Sequence, residues 1–233
     1  MGNMNFVYIC RIGENEELRY SIRSVLNSFP EANIWVIGGK PDWYVGNYIY
    51  VDQNNSKYNN AISNLNALCA SDLTPEEFFL MNDDFFILQK IDKIEMLHGG
   101  LLSEKISRYQ KIARSSSYIR KLFSTNDRLK KNNINEPLDY ELHIPMHMEK
   151  DKLKQILDQY PELLWRSMYG NTFNLGGTQC QDVKVYGNHV VRSEKQGIDY
   201  QNDIFLSTDD ISFKKIVLPE FKSMFSNKSM LEK

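Results

Sequence analysis

Long hydrophobic runs are missing from this 233-residue sequence. No stretch approaches the roughly 18 to 20 apolar residues needed to span a bilayer, and no basic N-terminal segment leads into an apolar core. The chain therefore reads as cytoplasmic, with no transmembrane segment. Cysteine is scarce too: Cys10, Cys69 and Cys180 are far apart, odd in number and without the close pairing of structural zinc sites. They read as reduced core thiols. A strong charge of either sign is also absent, the net charge being −2, so any basic surface for nucleic acid must be local. No internal repeat is visible. What remains, 42% hydrophobic and 25% charged residues, is the composition of one globular domain.

The first ninety residues alternate between two periodicities. Asn5–Ile12 is an apolar, β-prone run closed by Gly13, and the spacing of Leu18, Ile22, Val25 and Leu26 predicts a helix that ends by Pro30. Glu14, Glu16 and Glu17 crowd the start of that helix, where negative charge suits its dipole. Strands are expected at Asn33–Ile37, before Gly38 and Gly39, and at Tyr48–Val51, with a helix through Ala61, Leu65 and Leu68. Strand–helix alternation of this kind predicts βαβ units, a mixed, mostly parallel sheet flanked by helices, and ligand binding beyond the carboxyl ends of the strands. Arg11, Gly38, Gly39, Asp52 and the Asn82-Asp83-Asp84 turn are the residues so placed.

That turn stands out within FFLMNDDFFIL, Phe78 to Leu88, where two adjacent acids interrupt an apolar run. Buried carboxylates cost several kcal/mol each unless something positive meets them. A strand that stops at Asp83 and Asp84 could hold Mg²⁺ or Mn²⁺, which favour carboxylate oxygens; a plain hairpin turn is the alternative. His143 and His147 are four apart but straddle Pro145, which rules out a helical zinc pair. Either could be a single ligand or a phosphate contact. Arg11, Arg23 and Lys57 are candidates for gripping a diphosphate. In LSTDDISF, Asp209 and Asp210 form a second acidic pair that reads either as a general base and sugar contact or as a helix cap.

Beyond Leu88 the texture changes. Lys105 to Lys131 carries nine Lys or Arg and one acid, Asp127, with Tyr109, Tyr118 and Phe123 interspersed, and predicts a basic helical insertion at about 90–135. Strands are expected near Asp139–His143 and Val183–Tyr186, with a helix at about Lys150–Tyr160 between them. The polar tail at about 222–233 is expected to fray.

Several blocks together suggest a family. NEELRYSIRSV (Asn15–Val25), SKYNNAISN (Ser56–Asn64) and FFLMNDDFFIL resemble, in order and spacing, the first blocks of the Stealth proteins, sugar-1-phosphate transferases of capsule assembly and lysosomal-enzyme tagging. HIPM resembles a later Stealth block, and DYELHIPM, RSMYGN and STDDISF resemble small phage-encoded proteins described as glycosyltransferases. The resemblance implies a single GT-A-like, Rossmann-type α/β domain that binds a nucleotide-diphosphate sugar together with Mn²⁺ or Mg²⁺. It implies Asp83, Asp84 and His143 as metal ligands, with Asn82 assisting. Arg23 and Lys57 would contact the phosphates and Asn60 the donor, beside Arg11; Asp84, Asp209 and Asp210 are the catalytic candidates. The expected activity is metal-dependent glycosyl transfer to an acceptor hydroxyl. The acceptor could be modified DNA, otherwise a protein or glycan. Stealth-like sugar-1-phosphate transfer and a non-catalytic nucleotide-sugar or carbohydrate-binding module are the alternatives.

Overall fold

The structure, a computed structural model, describes residues 4–54, 56–112, 116–187 and 197–233. In chain order the first part comprises β1 (Asn5–Cys10), α1 (Glu16–Ser28), β2 (Asn33–Gly38), β3 (Asn47–Tyr50), α2 (Lys57–Ala70), β4 (Glu77–Asn82) and β5 (Phe85–Ile87). There follow β6 (Leu97–His98), α3 (Leu102–Ile112), α4 (Ser117–Lys131), β7 (Met146–Glu149), α5 (Lys150–Gln159) and α6 (Trp165–Thr172). The last part holds β8 (Thr178–Gln179), β9 (Lys184–Val185), β10 (Phe205–Thr208), α7 (Asp210–Ser212), a π-turn over Phe213–Val217, and α8 (Leu218–Met224). Among the described residues no helix is long and apolar enough to cross a membrane.

The chain divides into two compact units, residues 1–94, 143–151 and 183–233 in one, 95–142 and 152–182 in the other. The first is built on a five-stranded sheet of order β3-β2-β1-β4-β7. Its first four strands are parallel and β7 is antiparallel to β4. Strand β1 is central and buried through Phe6, Val7 and Tyr8, as its apolar run requires. Asn15 caps α1 by accepting from the Leu18 amide at 3.0 Å, and Ser56 does the same for α2 through Asn59. Two serines on the buried face of α1 tie that helix to β5: the Ser21 hydroxyl donates to the Phe85 carbonyl, and Ser24 Oγ accepts from the Ile87 amide at 3.0 Å.

A second, three-stranded sheet of order β5-β10-β9 follows the turn. Its register sets Phe85 beside Ser207 and Ser207 beside Lys184, so three distant chain segments share one row. Behind it Phe86, Leu206, Phe213, Phe221 and Phe225 form an aromatic-rich core.

The C-terminal tail does not fray. The Glu232 carboxylate is fully buried, accepting from Arg23 Nε and Nη2 at 2.7 and 2.6 Å and from Arg19 Nη1 at 3.1 Å. Backbone bonds from Val45 to Leu231 and from Lys233 to Trp43 complete the latch. The polar composition of the tail concealed a single acid with two arginines waiting for it.

In the second unit the basic segment forms α3 and α4; residues 113–115 of that segment are outside the described residues. Lys105 does not belong to a basic face. Its buried ammonium donates to Asp139 Oδ2 at 2.7 Å and to the Glu141 carbonyl at 3.0 Å. The strand expected at Asp139–His143 is irregular, because Asp139 Oδ1 accepts from the Glu141 amide and Glu141 Oε1 takes both the amide and hydroxyl of Ser167. Such side-chain capture of the backbone competes with strand pairing.

Candidate active site

At the carboxyl end of the parallel strands the backbone comes very close to itself. Gly38 has φ +115°, and a Cβ on Gly39 would lie 2.3 Å from the Arg11 carbonyl oxygen. Only glycine fits at both positions. Gln53 bridges the ends of these strands, accepting from the Ile12 amide at 3.2 Å and donating to the Cys10 carbonyl at 2.7 Å, and Asn64 donates to that same carbonyl at 3.3 Å.

At the same end of the sheet stands the acidic turn. Asp83 and Asp84 follow β4 directly, with side chains 20% and 15% exposed. Asp83 Oδ2 accepts from Asn15 Nδ2 at 2.5 Å and lies 3.6 Å from Arg11 Nε. Asp84 Oδ2 receives the Lys184 ammonium and the Ser207 hydroxyl, the latter at 3.2 Å. Among the described residues, all these contacts fall on Oδ2, leaving both Oδ1 atoms uncommitted. Asn82 Oδ1 is buried without a hydrogen-bond partner.

Arg11 links this turn to two further acids. Its Nη2 contacts Glu17 at 3.1 Å and its Nη1 contacts Asp210 at 3.3 Å. Asp83, Asp84, Glu17 and Asp210 thus face Arg11 and Lys184 in direct ion pairs, four acids against two bases. The imbalance shows in the acidities. Burial and neighbouring Asp84 push the Asp83 carboxyl up, against Asn15, Arg11 and Lys57. Burial acts likewise on Asp84, but Lys184, His143 and Lys57 outweigh it and hold Asp84 below the usual range. Glu17, its side chain only 6% exposed, is pushed up to about 7 by burial, Asp210 and Asp83, against the pull of Arg11.

Arg11, Asn82, Asp83, Asp84 and Asp210 come together here, and other sequence candidates do not. Arg23 is engaged by Glu232 and the Phe225 carbonyl and belongs to the C-terminal latch. Asp209 caps α7, accepting from the Ser212 amide at 2.8 Å, so of the second acidic pair only Asp210 reaches Arg11. His143 is near enough to favour the charged form of Asp84, but its ring stands edge-on to Phe85, and among the described residues no three His, Cys, Asp or Glu side chains gather as metal ligands. His147 sits on β7 beside Glu77 at 3.6 Å. Lys57 and Asn60 occupy the first turn of α2, where Lys57 acts electrostatically on both aspartates.

Asn15, Glu17, Lys184 and Ser207 complete the cluster without having been singled out in the sequence. Glu17 looks there like one of three dipole-favoured acids. Lys184 left only the faint signal of a charge inside a short β-prone run.

The donor set suits a divalent ion of the Mg²⁺ class, which commonly takes one or two carboxylates and completes its shell with water and substrate phosphate. Asp83 and Asp84 through their Oδ1 atoms, with the orphaned Asn82 oxygen, are the residues that would hold it.

No protein-family model matches the sequence, and no curated protein matches it. Solved structures do share its architecture, which is a GT-A-like glycosyltransferase fold. One is the galactosyltransferase LgtC in complex with donor and acceptor sugar analogs, similar at a TM-score of 0.52 and 10% identity over 99% of this chain and 98% of that one. An active-site mutant of LgtC matches at a TM-score of 0.50 and 11% identity with the same coverage.

Proposed function

We propose that this protein is a glycosyltransferase that takes a sugar from a nucleotide-diphosphate donor, with a divalent cation at Asp83 and Asp84. The observation that carries this reading is the uncommitted pair of Oδ1 atoms at the carboxyl end of the parallel sheet, in a cluster where four acids share two ion-paired bases. LgtC, whose fold is similar, is described with donor and acceptor sugar analogs bound. The bound ion would offset the negative charge of the departing nucleotide diphosphate. In the transfer, the acceptor oxygen bonds to the anomeric carbon as the bond from that carbon to the β-phosphate oxygen breaks; the electron pair leaves with the diphosphate. The acceptor proton passes to a carboxylate, for which Asp210, 60% exposed beside Arg11, is the available group. Lys57, and Arg11 once released by Asp210, meet the diphosphate.

A second reading, transfer of the sugar 1-phosphate, rests on the Stealth-like blocks at Asn15–Val25, Ser56–Asn64 and Phe78–Leu88. There the acceptor attacks the β-phosphorus and a mononucleotide leaves. Incubation with UDP-, GDP-, CDP- and dTDP-sugars and Mn²⁺ or Mg²⁺, with the released nucleotide identified by mass, separates the two: a diphosphate supports the first, a monophosphate the second. Asp83→Ala with Asp84→Ala is expected to abolish release, and release at the wild-type rate would sink both. Tight donor binding with no product from the wild type would instead make the protein a binding module.

A further inference from the structure

The pairing of Asp84 with Lys184 has a use beyond neutralising a buried acid. Lys184 is set by strand register: β9 pairs with β10 so that Lys184 lies opposite Ser207, and Ser207 in turn lies opposite Phe85, the residue after Asp84. Its ammonium, on a side chain 12% exposed, sits on the Asp84 oxygen that Ser207 also contacts. A divalent cation on Asp84 Oδ1 would therefore share one carboxylate with a fixed positive charge. The two positive charges would repel each other across that carboxylate, where the surroundings screen them less than water does.

We propose that Lys184 is a resident counter-ion that keeps the free protein from binding metal tightly, so that metal and donor diphosphate load together. This rests on the metal site described above. Before the donor arrives, Asp84 is satisfied by Lys184 and the ion gains only a shared ligand. Once a diphosphate is present, its negative charge stands beside both cations, and their mutual repulsion no longer opposes binding. By linkage, the nucleotide raises metal affinity and the metal raises nucleotide affinity by the same factor. Lys184 is thus a positioning residue, setting the order of assembly through Asp84 rather than by touching the reacting bond.

The test is Mn²⁺ affinity, read by calorimetry or by the loss of free-ion signal in electron paramagnetic resonance, with and without a nucleoside diphosphate. Lys184→Met and Lys184→Gln, of which the glutamine variant keeps a hydrogen-bond donor for Asp84, are expected to bind Mn²⁺ alone at least about tenfold more tightly than wild type. Nucleotide should then improve their affinity far less, while Lys184→Arg should behave as wild type. Equal or weaker Mn²⁺ binding by uncharged variants with a wild-type circular dichroism spectrum would overturn the proposal. Wild-type protein supplies an independent check should those variants fail to fold: nucleoside diphosphate must tighten Mn²⁺ binding at least about fivefold, and less coupling than that also overturns it. If no form binds Mn²⁺, the proposal falls, and product release from nucleotide sugars under chelator shows whether the transferase reading survives without a metal.

Discussion

Glu17 is a carboxyl group held where it would rather keep its proton. Its Oε1 has no hydrogen-bond partner, its Oε2 meets Arg11, and burial together with Asp210 and Asp83 raises it from the ordinary 4.5 to about 7. The folded protein therefore holds this proton more tightly than the unfolded chain does. The stability Glu17 contributes is fully present below about pH 4.5 and is lost as pH rises through about 7, a change on the order of 3 kcal/mol. Glu17→Gln, which cannot ionise, is expected to flatten this part of the profile, as measured by urea midpoints at pH 5 and 7.5. An unchanged difference between the two would argue that other groups dominate. At this scale the sequence was half legible. The acids of Asn82-Asp83-Asp84 announced themselves by interrupting an apolar run, whereas their partners Asn15, Lys184 and Ser207 lie 68, 100 and 123 residues away. No spacing rule connects such positions.

Elements with strong periodicity were legible because their signal is local: β1, α1, β2, α2 and the strands either side of the turn lie where alternation and apolar spacing placed them, with β1 ending at Cys10 rather than Ile12. Elements decided by side-chain networks were not. The irregular stretch through Asp139 and Glu141 looked like a strand by composition, and the tail looked free by polarity. The tail carries a quantitative expectation. Glu232 is held down to about 2: burial would raise it, but Arg23 and Ser229 prevail. Its contribution to stability is present above the unfolded value near 4.5 and is lost as pH falls towards 2. Glu232→Ala leaves two arginines without their buried anion and should cost about 3 kcal/mol at pH 7, with the deficit shrinking in acid. Chemical denaturation of the variant at pH 7 and pH 3 measures both, and a loss below about 0.5 kcal/mol would mean the latch is ornamental.

For the molecule as a whole, the mostly parallel sheet flanked by helices followed from strand–helix alternation, and the place of the Asp83-Asp84 turn at the carboxyl end of that sheet followed from its topology. What the acceptor is did not follow from either. Arg120, Arg128 and Lys131 are exposed on α4. If single-stranded DNA binds there, replacing these three by alanine should weaken binding and reduce the slope of log affinity against log salt by about 2. Binding indifferent to salt would remove DNA from consideration.

The row formed by Phe85, Ser207 and Lys184 also sets an order in time. During synthesis the chain makes its two adjacent acids roughly one hundred residues before it makes the lysine that neutralises them. Until β9 and β10 close onto β5, the nearly finished parallel sheet ends in a pair of carboxylates that repel each other and favour solvent over burial. Closing a loop of that length is slow, and its entropy cost is met only when the ion pair and the aromatic core behind it form together. The candidate active site is thereby also a seam that long-range strand pairing must close.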